Sequence, residues 1–161
     1  MRSSGKNSAV TGGVAAAVIA MAAAFIAPWE GKRNYAYQDI VGVWTICYGS
    51  TNGVKKGDYK TDAECEALFK KEVAEYYARV ESCMTNKSIP VSVQASLLEL
   101  AYNVGTGAAC KSTMMKLANA GRYAEACREL DKWVKAGGKT VKGLVNRRNA
   151  SEEMCVRDLA S

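Results

Sequence analysis

Residues 30–45 read EGKRNYAYQDIVGVWT, starting at Glu30, passing Asp39 and ending at Thr45. Tyr35, Tyr37, Ile40, Val41, Val43 and Trp44 are β-formers. They continue into Ile46 and Tyr48 before the glycines Gly49, Gly53 and Gly57. Such a run, punctuated by glycine, predicts two or three short strands over about residues 34–59. Its carboxylates also stand apart. Of the 16 acidic residues, only Glu30 and Asp39 precede Asp58. Almost all the rest fall on the surfaces of predicted helices, where a charge is ordinarily solvated. Glu30 follows Trp29, and Asp39 lies among apolar and aromatic neighbours. A carboxylate in such surroundings is partly desolvated, as a general acid needs. A helix-end glutamate and a turn aspartate would account for the same two residues.

The chain around this stretch limits the chemistry. Its 161 residues make one domain with room for a short appendage. With 48% apolar and 24% charged residues it has a globular composition. There is no histidine. Ser-His-Asp and Cys-His nucleophile systems and imidazole bases are therefore excluded. A zinc site would need cysteine and carboxylate alone. Acid–base chemistry falls to carboxylates, and no cofactor is implied.

Downstream, the period changes to that of helices. Thr61-Asp62-Ala63-Glu64 is a capping box, followed by the apolar stripe Cys65, Leu68, Phe69, Val73, Tyr76 and Val80. Pro90 opens a helix to about Asn103, with Val93, Leu97, Leu100, Ala101 and Val104 buried and Gly105 as its stop. Ser112 caps a short helix ending at Gly121. A further helix is predicted from about Tyr123 to Lys135, stopping at Gly137-Gly138, and a last one from about Lys142 to Asp158. The class is α+β, mainly α, with a small β lobe before a larger helical lobe.

Upstream, no side chain from Asn7 to Trp29 is charged. As a helix this run is roughly 34 Å long, enough for a hydrocarbon core of about 30 Å. Arg2 and Lys6 precede it, which places the N-terminus in the cytoplasm and everything after Pro28 outside. The run is rich in alanine and only weakly apolar. Residues 1–28 therefore read as a membrane segment and 29–161 as the soluble domain. Three fates remain open: a signal peptide cleaved near Ala22-Ala23-Ala24, a permanent anchor, or a weak anchor able to leave the bilayer.

Cys47, Cys65, Cys83, Cys110, Cys127 and Cys155 contain no C-x-x-C pair. In an exported domain they read as disulfides, and six cysteines permit 15 pairings. The simplest is sequential: Cys47–Cys65, Cys83–Cys110 and Cys127–Cys155. Without Arg2 and Lys6, 20 basic residues face 16 acidic ones, a net +4. Lys132, Lys135, Lys139, Lys142, Arg147 and Arg148 lie in a stretch free of acid from Lys132 to Ala150. An anionic polymer or phospholipid headgroups would attract it, though a solvated helix face would read the same way. Nucleic acid is not expected, since no nucleic-acid motif is present.

The spacing Glu30-x8-Asp39-x5-Thr45 resembles the catalytic stretch of the phage-type lysozymes, the T4 lysozyme superfamily (glycoside hydrolase family 24). The likeness continues through Cys47-Tyr48-Gly49, Ala101-Tyr102-Asn103-Val104-Gly105, Ser112-Thr113, Trp133 and Lys142-Gly143-Leu144-Val145 to Arg147-Arg148. It covers roughly residues 29–157. With the N-terminal segment included, the chain is similar to the signal-anchor-release endolysins, such as that of lambdoid phage 21. The resemblance implies a lysozyme-like fold and hydrolysis of the β-1,4 bond between N-acetylmuramic acid and N-acetylglucosamine, lysing the host cell. Glu30 would be the general acid, Asp39 an ionised partner that helps activate water, and Thr45 a water-positioning group. Inversion is expected, with carboxylates about 6.5–9.5 Å apart. The implied partners are peptidoglycan, the host inner membrane, the Sec export machinery and a holin or pinholin, acting on a monomer. The enzyme would be held in the inner membrane, inactive, and then released to the periplasm.

Two departures are visible. Where many relatives read Gly-His-Thr, this chain reads Gly49-Ser50-Thr51, so sugar contacts there would differ. Some relatives carry a cysteine at the position of Asp39, and this chain has none before Cys47. Control by thiol–disulfide exchange from the anchor is not expected. Competing readings are a secreted lysozyme with a cleaved signal peptide, a non-catalytic peptidoglycan-binding protein, and a membrane-permeabilising protein.

Overall fold

In the computed structural model, residues 4–159 are described, with side chains over 12–159. Arg2 and the side chain of Lys6, on which the expected orientation rests, lie outside the described residues. Helix α1 (Ser4–Glu30) runs unbroken through residue 28. Its segment Gly12–Glu30, of mean hydropathy 1.8, is long and apolar enough to cross a membrane. Here it is docked on the rest of the chain. Val18, Ala22 and Ile26 recur every fourth residue on one face and are fully buried. They meet α3 and α2. Burying Val18 and Ile26 contributes about 1.5–3 kcal/mol each. Ala22, with only a methyl, lets the helix backbones approach. Ala16, Ala17, Ala20 and Ala24 on the opposite side are exposed.

The β lobe is a hairpin of β1 (Arg33–Gln38) and β2 (Trp44–Cys47), with Tyr37 opposite Thr45 and Gln38 opposite Trp44. Of the two or three strands expected, two form, and Tyr59 adds only a single bridge to Tyr35. Helix α2 (Asp62–Glu81) starts at the capping box, where Thr61 accepts from the Glu64 amide and the Glu64 carboxylate accepts from the Thr61 amide. Tyr77 rather than Tyr76 completes its buried stripe, and its hydroxyl donates to Gln94.

Helix α3 (Val91–Val104) is the centre of the domain. Every residue from Ser92 to Ala101 is buried, so the helix has no solvent face. Pro90 is its N-cap and not its first helical residue, so the helix starts one residue later than expected. Around it stand α4 (Thr106–Lys111), which was not expected, α5 (Thr113–Asn119), capped by Ser112, α6 (Tyr123–Arg128) and α7 (Lys142–Cys155). The helix expected from Tyr123 to Lys135 ends at Arg128 and gives way to a 3-10 turn, Glu129–Lys132. Gly137-Gly138 does not cap it. Both glycines have positive φ, 58° and 79°, and form the two-residue turn joining β3 (Lys135–Ala136) to β4 (Lys139–Thr140). A second 3-10 turn, Arg157–Leu159, follows α7, so the last helix is also shorter than expected.

The disulfides join Cys47 to Cys65, Cys83 to Cys110 and Cys127 to Cys155. They tie β2 to α2, the end of α2 to α4, and α6 to α7. Loops of this length restrict the unfolded chain by about 3–4 kcal/mol each.

Candidate active site

Glu30 is the last residue of α1. Gly31 follows with φ 69° and donates its amide to the Ala27 carbonyl, closing the helix in the left-handed conformation that glycine adopts freely. The chain then turns into β1, so one helix end and one hairpin start at the same point. Glu30 lines a cleft of about 660 Å³ with Tyr48, Gly49, Leu68, Tyr76, Tyr102 and Asn103. Its Oε1 accepts from Arg147 Nη1 at 2.9 Å, and its side chain is 24% exposed. A β-carbon at Gly49 would stand only 3.7 Å from its Oε2. One oxygen is thus tethered and the other faces the loop at the cleft edge.

That loop is made by a tight return of the chain. Ile46 and Ser50 exchange both backbone hydrogen bonds at 2.9 Å. Cys47 has φ 60° and Gly49 φ 97° within it. The Cys47–Cys65 disulfide and the Tyr102 hydroxyl, which donates to the Tyr48 carbonyl at 3.0 Å, fix it to α2 and α3. Tyr48 packs on Phe69, and Phe69 and Tyr76 pack on Tyr102, giving one wall of the cleft an aromatic surface. Both hydroxyls stay protonated at neutral pH. Tyr48 is pushed up to about 12, chiefly by its hydrogen bond to the Glu66 carboxylate. Burial, followed by the charge of Glu30, raises Tyr102 well above the usual phenol range.

Asp39 and Thr45 sit on the β1–β2 hairpin and do not line that cleft. They are brought together through Val43. The Asp39 amide and the Thr45 hydroxyl both donate to the Val43 carbonyl, each at 2.9 Å. Asp39 Oδ1 accepts from the amides of Val41 and Val43 at 2.9 and 2.8 Å. Among the described residues nothing donates to Asp39 Oδ2. Thr45 Oγ1 has its hydrogen committed and remains an acceptor, in a residue only 4% exposed. Antiparallel pairing of Tyr37 with Thr45 puts the side chains of residues 37, 39, 43 and 45 on one face of the ribbon.

Beneath Glu30 lies a group that sequence reasoning did not single out. Glu99, in the middle of α3, is fully buried. It accepts from Arg147 Nε at 2.6 Å, from Arg148 Nη1 at 3.2 Å and from Ser151 Oγ at 3.0 Å. Arg148 also donates to the Trp133 carbonyl and to Asn103. Arg147 and Arg148 are therefore internal and do not belong to the exposed basic surface formed by Lys132, Lys135, Lys139 and Lys142. A signal for Glu99 was present: it is the sole charged residue between Lys87 and Lys111.

A carboxyl in a cleft, held by one oxygen, and a second carboxylate on an adjoining ribbon make an arrangement suited to acid-assisted hydrolysis. The phage lysozyme family model matches residues 27–151. The chain belongs to the phage lysozyme family. It is 41% identical over 128 residues to the SAR-endolysin of Enterobacteria phage P21, covering 79% of this chain and 77% of that one. To the SAR-endolysin of Pseudomonas phage phiKMV it is 40% identical over 144 residues, 87% of this chain and 89% of that. In fold it is similar to the active form of P1 phage endolysin Lyz, with TM-score 0.78 and 24% identity over 88% of this chain and 85% of that. The likeness to the secreted inactive form of Lyz is lower, TM-score 0.51 at 22% identity over 68% and 78%. This phage lysozyme is thus a glycoside hydrolase of the SAR-endolysin type with an apolar N-terminal helix.

Proposed function

We propose that this lysozyme cleaves the β-1,4 bond between N-acetylmuramic acid and N-acetylglucosamine in peptidoglycan, lysing a phage's bacterial host, with Glu30 as general acid. The observation that carries the reading is Glu30 itself: it ends a docked α1, at the cleft, with one oxygen on Arg147. The proton on Oε2 passes to the glycosidic oxygen. The C1–O bond breaks and its electron pair leaves with that oxygen. Water attacks C1 from the opposite face and gives its proton to Asp39 Oδ2, while donating its other hydrogen to Thr45 Oγ1. The anomeric centre inverts. Replacing Glu30 by Gln keeps the shape and removes the proton donor. Permeabilised Gram-negative cells should lose turbidity at least a hundredfold more slowly with Glu30→Gln. Lysis undiminished by that change would reject the mechanism and favour permeabilisation or simple peptidoglycan binding.

Regulation follows from α1. After Sec-dependent export, residues 8–28 span the inner membrane with the N-terminus in the cytoplasm. Glu30 is then pinned at the headgroups, away from Arg147, and the enzyme is inactive. Collapse of the membrane potential by a holin or pinholin frees α1 into the periplasm, where it docks and the monomer becomes active. The burial of Val18, Ala22 and Ile26 supports retention of α1 in the active chain. Cleavage near Ala24, as in a secreted lysozyme, would strip Val18 and Ala22 from the core.

A further inference from the structure

Four charges run in an unbroken line under the cleft: Glu30, Arg147, Glu99 and Arg148. They sum to zero with Glu30 ionised and to +1 with Glu30 protonated, the form that acts as an acid. Placing a carboxylate at the centre of a helix buried on all sides is costly unless it is fully paired. Packing of α3 on α7 needs no charge there, so the carboxylate of Glu99 calls for another explanation.

We propose that Glu99 is a positioning residue for the reaction: it grips Arg147 through Nε, so that Arg147 meets Glu30 with Nη1 alone and leaves Oε2 free for the proton. This rests on Glu30 being the acid. A guanidinium binds a carboxylate most strongly across two nitrogens at once. Arg147 does this with neither partner. Nε goes to Glu99, Nη1 goes to Glu30, and Nη2, which both forks would share, is buried without an acceptor among the described residues. The two carboxylates hold opposite ends of one cation, and neither captures it. Were Glu99 uncharged, Arg147 could turn its Nη1–Nη2 edge onto both oxygens of Glu30. The uncompensated positive charge would also favour Glu30 in its ionised form, which cannot act as an acid.

The other groups around Glu30 leave this effect readable. Tyr48 and Tyr102 are neutral, and from α2 the cleft receives Lys71, Glu72, Glu75 and Arg79, two charges of each sign. Among the described residues, Glu99 pairs with Arg147, Arg148 and Ser151 and with none of these four.

The test uses the full chain on soluble, uncross-linked peptidoglycan glycan strands, with kcat and KM measured across pH. In Glu99→Gln the alkaline limb of kcat/KM should move to lower pH by about one unit, and kcat should fall severalfold with KM unchanged. A folded Glu99→Gln whose limb stays in place overturns the proposal, because a purely structural loss lowers the active fraction without moving the limb. If that variant does not fold, Glu99→Asp decides. It keeps the charge but withdraws it by one methylene, so kcat per folded molecule, with the folded fraction fixed by thermal melting, should fall at constant KM with the limb unmoved. Wild-type kcat in Glu99→Asp would overturn the proposal. An inactive Glu30→Gln beside an unmoved Glu99→Gln limb refutes the positioning role alone. An active Glu30→Gln refutes the acid assignment beneath it.

Discussion

Gly49 shows how closely backbone and chemistry are joined at single residues. Its φ of 97° is a region that side chains other than glycine enter at a cost, and a methyl there would stand 3.7 Å from Glu30 Oε2. Gly49→Ala should therefore lose stability by about 1–2 kcal/mol. It should also lower kcat/KM more than the unfolded fraction explains, since the methyl screens the oxygen proposed to carry the proton. Thermal melting and steady-state kinetics on the same preparation separate the two effects. A stability loss with wild-type kcat/KM would show that Oε2 does not use the space beside Gly49. Glu30, Asp39 and Thr45, the proposed site, stand out in the sequence through a spacing that resembles a known catalytic stretch, since the residues alone also read as a helix-end glutamate and a turn aspartate. Arg147 and Glu99 could not be paired that way. Their contact spans 48 positions and depends on α7 lying against α3, so Arg147 reads from sequence as one more cation in a basic run.

The elements tell a similar story at larger size. Ends set by local chemistry were legible: the Thr61 capping box, Ser112 at α5, and Gly105 after α3 each act through hydrogen bonds within a few residues. The hairpin at Gly137-Gly138 was not, because two glycines serve equally as a helix stop and as a turn with two positive φ values. Neither was the burial of α3 on all sides, which comes from α1 covering it. If Glu30 is the acid as proposed, that covering gives α1 a catalytic consequence. Ile26 lies one turn before Glu30 and is fully buried. Ile26→Ala should cost about 2–5 kcal/mol. Met114→Ala, at an equally buried site on α5, should cost a comparable amount. Only Ile26→Ala should also reduce kcat under conditions where both variants are fully folded, because it loosens the turn that presents Glu30 to Arg147. Equal kcat for the two variants would mean that α1 contributes stability without positioning the acid.

For the whole molecule, the proposed release requires one helix to satisfy two solvents. Its packed face is Val18, Ala22 and Ile26. Its exposed face, Ala16, Ala17, Ala20 and Ala24, is apolar enough to enter lipid yet small enough to leave it. Large apolar residues on that outer face would hold the helix in the bilayer, while the inner face would still fit α3. Changing all four exposed alanines to Leu adds roughly 2 kcal/mol of preference for the membrane and leaves every packed contact in place. Such a chain should fractionate with the inner membrane and fail to lyse its host. The same chain made without membranes and presented with purified peptidoglycan should cut it at close to the wild-type rate, because its docked state is intact. Loss of activity in both settings would indicate damaged docking. Lysis at the wild-type rate by a membrane-retained chain would overturn the idea that anchoring withholds Glu30.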